Sequence, residues 1–270
     1  MKYIDCKQYA QEILDLVKAV PRKKKLVIIS VGDNHASKSY IKGKIKDCEY
    51  CGIPYDHIQI EENANTPMQL VRAIVSANID DTVGGIILQL PLPTGMSEDY
   101  YTNMINPDKD VDGFIKHSRF DPCTPEAIMY LLHREVGELS GKAVTLVGRG
   151  KLVGKPLAKM LLDSDCTVTI AHSKTKNLLN HLQFADIVIS AVGKPTTVNL
   201  DACWNADLVI DVGVNRDSNG KLCGDCWGGD VNDLSPRVTP VPGGIGLLTR
   251  AMLMAHMTNF NLETLLVVLK

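Results

Sequence analysis

No stretch of this sequence approaches the ~20 consecutive apolar residues that a membrane-spanning helix needs, which excludes an integral membrane protein of the helical kind. Neither sign of charge dominates. Lys and Arg number 29 against 31 Asp and Glu, a net charge of −2, so there is no basic surplus of the kind that nucleic acid demands. The basic run Arg22-Lys23-Lys24-Lys25 is short and leads into the apolar Leu26-Val27-Ile28-Ile29-Ser30-Val31. It reads as a solvated turn rather than a binding patch. The opening Met1-Lys2-Tyr3-Ile4-Asp5 has none of the apolar h-region of a secretory signal, and a cytoplasmic location is expected. Internal repeats and low-complexity tracts are absent. Metal-ligand spacing is absent too. Eight cysteines are present, including the pairs Cys48/Cys51 and Cys223/Cys226. The two pairs lie far beyond the ~15–20-residue interval of a zinc ribbon. Reduced thiols and no metal are expected.

What is present is an ordinary globular composition, 45% apolar and 22% charged over 270 residues, enough for a sizeable core in one large or two ordinary domains. Helical and strand periodicities alternate almost throughout. Helices are expected at about 5–19, 37–51 and 66–78, with strands at 26–31, 55–60 and 84–90. Thr66-Pro67 reads as an N-cap followed by proline at the first helical position. A second series places strands at 143–147, 166–171, 186–190 and 207–212. Such alternation predicts parallel sheets covered by helices on both faces. The expected architecture is α/β, with two lobes around a cleft and a Rossmann-like C-terminal lobe. The first lobe spans 1–122 and takes back a helical segment at 249–270. The second spans 123–248.

In open α/β sheets, ligands bind beyond the carboxyl ends of strands, so chemistry is sought in the loops. Val144-Thr145-Leu146-Val147 runs into Gly148-Arg149-Gly150 and then Gly154-Lys155-Pro156. This is a strand, a glycine turn and a helix start. The exposed N–H groups and partial positive charge of such a helix start suit a phosphate. The spacing G-x-G-x-x-x-G is one residue longer than the usual dinucleotide fingerprint. The next strand ends in His172-Ser173-Lys174, without the Asp or Glu that holds the ribose 2′-hydroxyl of NAD. With Arg149 in the turn, the pocket reads as one for the 2′-phosphate of NADP.

Other loops also carry candidates. Tyr40 and Lys44 stand four apart on one helix face, while Lys42 and Lys46 point elsewhere. Such a pair can stack on and polarise a planar heterocycle, or can be part of an ordinary solvated helix. Gln89 interrupts the apolar run Gly84–Leu90 near its end and must find hydrogen-bond partners there. Pro91 and Pro93 close that strand. Asn106–Phe114 holds Asp108, Asp110 and Asp112. Its spacing does not fit a calcium loop, and its plainest reading is a solvated turn. Pro240-Val241-Pro242-Gly243-Gly244-Ile245-Gly246 makes a rigid backbone that a flat ligand can approach closely.

Taken together these motifs resemble the bifunctional methylenetetrahydrofolate dehydrogenase/cyclohydrolase family. The resembling segments are Tyr40–Lys46, Gly84–Pro93, Lys109–Gly113, Pro122–Pro125, Gly148–Pro156, His172–Thr175, Asp211–Asn215 and Pro240–Gly246. They occur in order along nearly the whole chain. The resemblance implies oxidation of 5,10-methylenetetrahydrofolate to the 5,10-methenyl cation with NADP, then hydrolysis to 10-formyltetrahydrofolate, a one-carbon donor of purine biosynthesis. It implies Lys44 as the central catalytic group, Gln89 as its tuner, Tyr40 stacked on the folate and Asp112 on the pterin. Pro242, Gly243 and Gly244 would line the substrate. Gly148, Arg149, Gly150, Gly154, His172, Ser173, Gly193 and Val214 would hold the cofactor. A homodimer formed through the cofactor lobes is implied, with tetrahydrofolate derivatives as ligands and neither nucleic acid nor membrane as partner.

The chain departs from the family pattern at Gly150, where serine is usual, at Glu126 and Ala127, and at Leu247. The stretch between Phe114 and Pro122 looks shortened, and Gly224–Asp230 looks expanded. Two rival readings remain at this stage. One is another two-lobed NADP dehydrogenase of the shikimate type. The other is a non-catalytic nucleotide sensor stabilised by zinc on the two cysteine pairs.

Overall fold

The computed structural model describes residues 2–229 and 236–269. Asp230, the end of the stretch that looks expanded, lies outside the described residues. In chain order the first elements are β1 (Lys2–Tyr3), α1 (Cys6–Ala19), β2 (Lys25–Val31), α2 (His35–Cys51), β3 (Tyr55–Ile60), α3 (Thr66–Ile79), β4 (Val83–Leu88) and α4 (Glu98–Thr102). Then come α5 (Cys123–Glu135), β5 (Ala143–Val147), α6 (Gly154–Asp163), β6 (Thr167–Ala171), α7 (Leu178–Gln183), β7 (Ile187–Ser190), β8 (Val198–Asn199) and β9 (Leu208–Asp211). The last are β10 (Asn215–Arg216), β11 (Leu222–Cys223), β12 (Cys226–Trp227), β13 (Arg237–Val238), α8 (Ile245–His256) and α9 (Leu262–Val268).

The chain divides into two compact units. One comprises Gln11–Cys123 with Arg250–Leu269, and the other Thr124–Thr249 with the first ten residues. The N-terminal ten residues therefore leave the lobe that sequence order suggests. The reason is backbone pairing, because β1 runs parallel to β13 with Lys2 opposite Arg237 and Tyr3 opposite Val238.

In the first unit the sheet order is β3-β2-β4, all parallel. Strand β2 is buried along nearly its whole length, as expected of a central strand with helices on both faces. On one face Val27, Ile29 and Val31 pack with Leu70 and Ile74 of α3 and with Ile86 and Leu88 of β4. Asp110 extends this sheet through a parallel bridge to Ile86. That pairing brings the acidic turn beside β4.

The second unit carries a six-stranded sheet of order β1-β13-β9-β7-β5-β6, parallel throughout. Chain order reverses between β5 and β7, which makes their carboxyl ends the switch point where ligands bind in doubly wound sheets. Strands β7 and β9 are fully buried and β6 forms an edge.

One local expectation is corrected. The N-cap of α3 is Asn65, not Thr66, and Asn65 makes no side-chain cap bond. Thr66 Oγ1 is committed to the preceding loop. It accepts from Asn63 N–H at 2.7 Å and donates toward the carbonyls of Asn63 and Glu61.

Candidate active site

Helix α2 follows β2 and runs past the carboxyl end of β4. Along it Tyr40 is half-buried, Lys44 is buried, and Lys42 and Lys46 are exposed. Burial raises the Tyr40 phenol above its usual value, with the Arg250 charge opposing. The face shared by Tyr40 and Lys44 is thus the inward one.

Lys44 is 8% exposed and Asp112 9%. The Lys44 Nζ donates to Gln89 Oε1 at 3.2 Å and stands 3.9 Å from Asp112 Oδ2. Gln89 is held at both ends. Its backbone N–H donates to Ile29 O at 2.8 Å, and its Nε2 donates to Leu90 O at 2.8 Å. Its amide oxygen is thereby turned toward the amine, which settles where this polar residue finds its partners.

The turn carrying Asp112 is not the solvated turn of its plainest reading. Residues 110–113 are all buried. Asp110 accepts the N–H groups of Gly113 at 3.1 Å and Ile115 at 3.0 Å. Burial raises the Asp110 carboxyl above the usual carboxylate range. The carbonyl of Val111 receives His256 Nδ1–H at 2.8 Å and the Cys123 thiol at 3.2 Å. Phe120 stacks on His256 with centroids 4.1 Å apart. Gly113 sits at φ +73°, and a Cβ there would collide with Asp121 O.

Sequence reasoning missed this support of Asp112 by Asp110, Cys123 and His256. It also missed the bracing of α2. Gly43 lies in the helix interior, where glycine costs about 1 kcal/mol relative to alanine. A Cβ there would overlap the Arg250 guanidinium, whose Nε stands 2.9 Å from Asp47 Oδ2. The mid-helix glycine was the available signal. A cavity of about 190 Å³ opens at the carboxyl end of β2, with Ser30, Ser37, His57 and Gln89 in its wall.

In the second unit a cavity of about 690 Å³ lies at the β5/β7 switch point. Gly148, Arg149 and Gly150 line it after β5, His172, Ser173 and Thr175 after β6, and residues 191, 192 and 194–197 after β7. Gly148 has φ +116°, and a Cβ would collide with Ala191 O. A Cβ at Gly154 would collide with Gly148 O, so Gly154 supports the turn from behind. Nothing in the structure requires glycine at Gly150, since a side chain would enter open space. Gly193 sits at φ +69° between two wall residues. Val214 is 50% exposed and does not line this cavity. Pro242 and Gly243 are exposed and Gly244 is buried, in the turn before α8.

A dinucleotide fits these residues. The turn admits a close approach, the walls carry Arg149, Lys194 and hydroxyls, and no carboxylate ends β6. The cysteine pairs offer less to a metal. Burial pushes Cys48 and Cys51 up to about 12, and raises Cys226 as well. Ligation needs the thiolate. Among the described residues no three His, Cys, Asp or Glu converge as a ligand set.

Residues 4–112 match the family model "Tetrahydrofolate dehydrogenase/cyclohydrolase, catalytic domain", and residues 122–264 match its "NAD(P)-binding domain". A relative from Staphylococcus carnosus, named bifunctional protein FolD, is 41% identical over 260 residues, covering 92% of this chain and 91% of the relative. Two solved structures are similar. One is the bifunctional methylenetetrahydrofolate dehydrogenase/cyclohydrolase of Campylobacter jejuni, with TM-score 0.84, 36% identity, and 94% and 95% of the two chains covered. The other is the Trypanosoma brucei enzyme complexed with NADP cofactor and inhibitor, with TM-score 0.84, 29% identity and 95% of each chain covered. The chain belongs to the tetrahydrofolate dehydrogenase/cyclohydrolase family.

Proposed function

We propose that this chain oxidises 5,10-methylenetetrahydrofolate with NADP and hydrolyses the resulting 5,10-methenyl cation to 10-formyltetrahydrofolate, with Lys44, Gln89, Asp112 and Tyr40 carrying the folate chemistry. The observation behind the residue assignment is the buried triangle of amine, amide and carboxylate at the carboxyl end of β4.

Each member has work suited to its chemistry. Tyr40 offers a ring face to the flat folate heterocycle. Asp112 accepts paired N–H donors, which an aminopyrimidinone edge presents. Gln89 orients the amine without fixing its charge as a carboxylate would. In its neutral form Lys44 takes a proton from water attacking the methenyl carbon, and in its charged form it steadies the oxygen that results. The carbon–nitrogen bond then breaks, the ring nitrogen keeps the electron pair and gains a proton, and one proton is released overall.

On the second unit, Gly148, Gly150 and the N–H groups of the turn would receive a pyrophosphate. Arg149, His172 and Ser173 would hold a 2′-phosphate. NADP, when bound, supplies the hydride acceptor. Gly154 and Gly193 are assigned to shaping the same site, Val214 to a cofactor contact outside the cavity wall, and Pro242, Gly243 and Gly244 to the substrate.

A homodimer through the cofactor-binding unit accords with the open edge of β6, where Ile170 is 43% exposed. Unpaired strand edges invite pairing with a second chain. Eight cysteines outside any disulfide, six of them buried, accord with the reducing cytoplasm. The product's formyl group has the oxidation level that purine assembly consumes.

A steady-state assay with methylenetetrahydrofolate tests the reading. NADP should be reduced with kcat/KM at least ~10-fold above NAD, about the worth of one charge-assisted contact, and 10-formyltetrahydrofolate should accumulate. Reduction of neither cofactor, or a preference for NAD, contradicts it.

A further inference from the structure

The loop after β7 supplies much of the wall of the large cavity, including Val192, Lys194 and Thr197. It belongs to no helix or strand, so its backbone donors need partners elsewhere. Those of three successive residues, 192–194, find one side chain. Asp225, with 0% exposure, accepts the N–H groups of Val192 at 2.8 Å and Gly193 at 3.2 Å on Oδ2, and that of Lys194 at 2.9 Å on Oδ1. Ser190 Oγ and Asn215 Nδ2 complete the carboxylate's partners at 3.0 and 2.8 Å. The backbone carbonyl of Asp225 receives the N–H groups of Thr197 at 2.8 Å and Val198 at 3.2 Å. One residue thus grips both ends of the loop.

Asp225 is itself locked. Asp211, at the end of β9, accepts the N–H groups of Asp225 at 3.0 Å, Cys226 at 2.9 Å and Gly213 at 2.9 Å. The fit is reciprocal. A Cβ at Gly213 would collide with the Asp225 carboxylate, and one at Gly224 would collide with that of Asp211. The two loops interlock because each presents a bare glycine to the other's carboxylate.

We infer that Asp225 is a positioning residue for the nucleotide: its carboxylate shapes the 191–197 loop into the cofactor wall without itself touching the ligand. The inference rests on the assignment of NADP to this cavity. A carboxylate is suited to the task because it has acceptor sites on both oxygens and no donor. Asparagine keeps one acceptor and turns an NH₂ group toward N–H donors on the other side, so at least two donors lose their partner.

Equilibrium titration with NADP and hydrogen exchange test it together. Asp225→Asn should weaken NADP at least tenfold. Asn215→Ala, which removes one partner outside the loop, should stay within twofold of the native protein. In the unliganded native protein the amides of Val192, Gly193 and Lys194 should exchange as slowly as those of β7, although they lie in a loop. This arm decides the matter even if Asp225→Asn fails to fold. NADP affinity within twofold of native in Asp225→Asn, equal losses in both variants, or fast exchange at 192–194 overturns the inference. Failure of the native protein to bind NADP instead overturns the cofactor assignment, and the exchange arm separates the two failures.

Discussion

At Lys44 an amine is withdrawn from water yet left beside two acceptors of different kind, a neutral amide at 3.2 Å and a carboxylate at 3.9 Å. Burying a cation is costly unless it is paired and hydrogen-bonded. Here both conditions are met without closing the amine into a tight ion pair. Arg149 stands at the opposite extreme, exposed on the glycine turn. Its expected work is electrostatic. Arg149→Ala should therefore raise the KM for NADP about 10- to 150-fold, the worth of one charge-assisted contact of ~1.5–3 kcal/mol. The KM for NAD should change less than threefold. Parallel steady-state titrations with the two cofactors read the difference, and equal losses would remove the 2′-phosphate role from Arg149.

At the scale of elements, the placement of Asp112 depends on backbone more than on side chains. The bridge from Asp110 to Ile86, the two N–H bonds to the Asp110 carboxylate and the donors on Val111 O fix the turn at several points. Gly113 is the position where this turn tolerates no Cβ. Gly113→Ala forces both a left-handed backbone and a collision with Asp121 O. It should cost about 1–3 kcal/mol of unfolding free energy, read from urea denaturation. It should also slow methenyl hydrolysis more than it weakens NADP, because Asp112 moves with the turn. Native-like stability and hydrolysis would show the turn to be adaptable.

Elements with strong periodicity were legible in the sequence. The strands at 55–60 and 143–147 are found as expected, the second because a buried apolar run bounded by turns leaves little choice, the first because Ile58 and Ile60 alternate with polar neighbours. The cap of α3 was not legible, since Thr66 spends its hydroxyl on a neighbouring loop rather than on the helix. Nor were the buried acids. Asp110 reads as an ordinary turn residue, and nothing in one dimension marks Asp211 or Asp225 as buried acceptors; only backbone donors brought together by the fold reveal their use.

For the molecule as a whole, two parallel sheets in one chain each carry a candidate site beyond their carboxyl ends, with Gln89 after β4 in one and Gly148 after β5 in the other. The ordered family motifs made this architecture and the Lys44 set readable, because they name residue types that one chemistry needs together. The helical segment 249–270 is already legible in the sequence as part of the first lobe, whereas the departure of residues 1–10 to the second unit depends on strand pairing, which local periodicity does not carry. No helix among the described residues is long and apolar enough to cross a membrane.

The central claim is that the Lys44 amine drives the hydrolytic step. Its most direct test is the rate of methenyltetrahydrofolate hydrolysis by Lys44→Met, alongside circular dichroism and NADP titration of the same preparation. Loss of a positioned acid–base group is worth ~10²–10⁴ in rate. Hydrolysis should fall at least ~100-fold while the spectrum and NADP affinity stay native. A variant that is folded, binds NADP and still hydrolyses the methenyl compound at near-native rate contradicts the account.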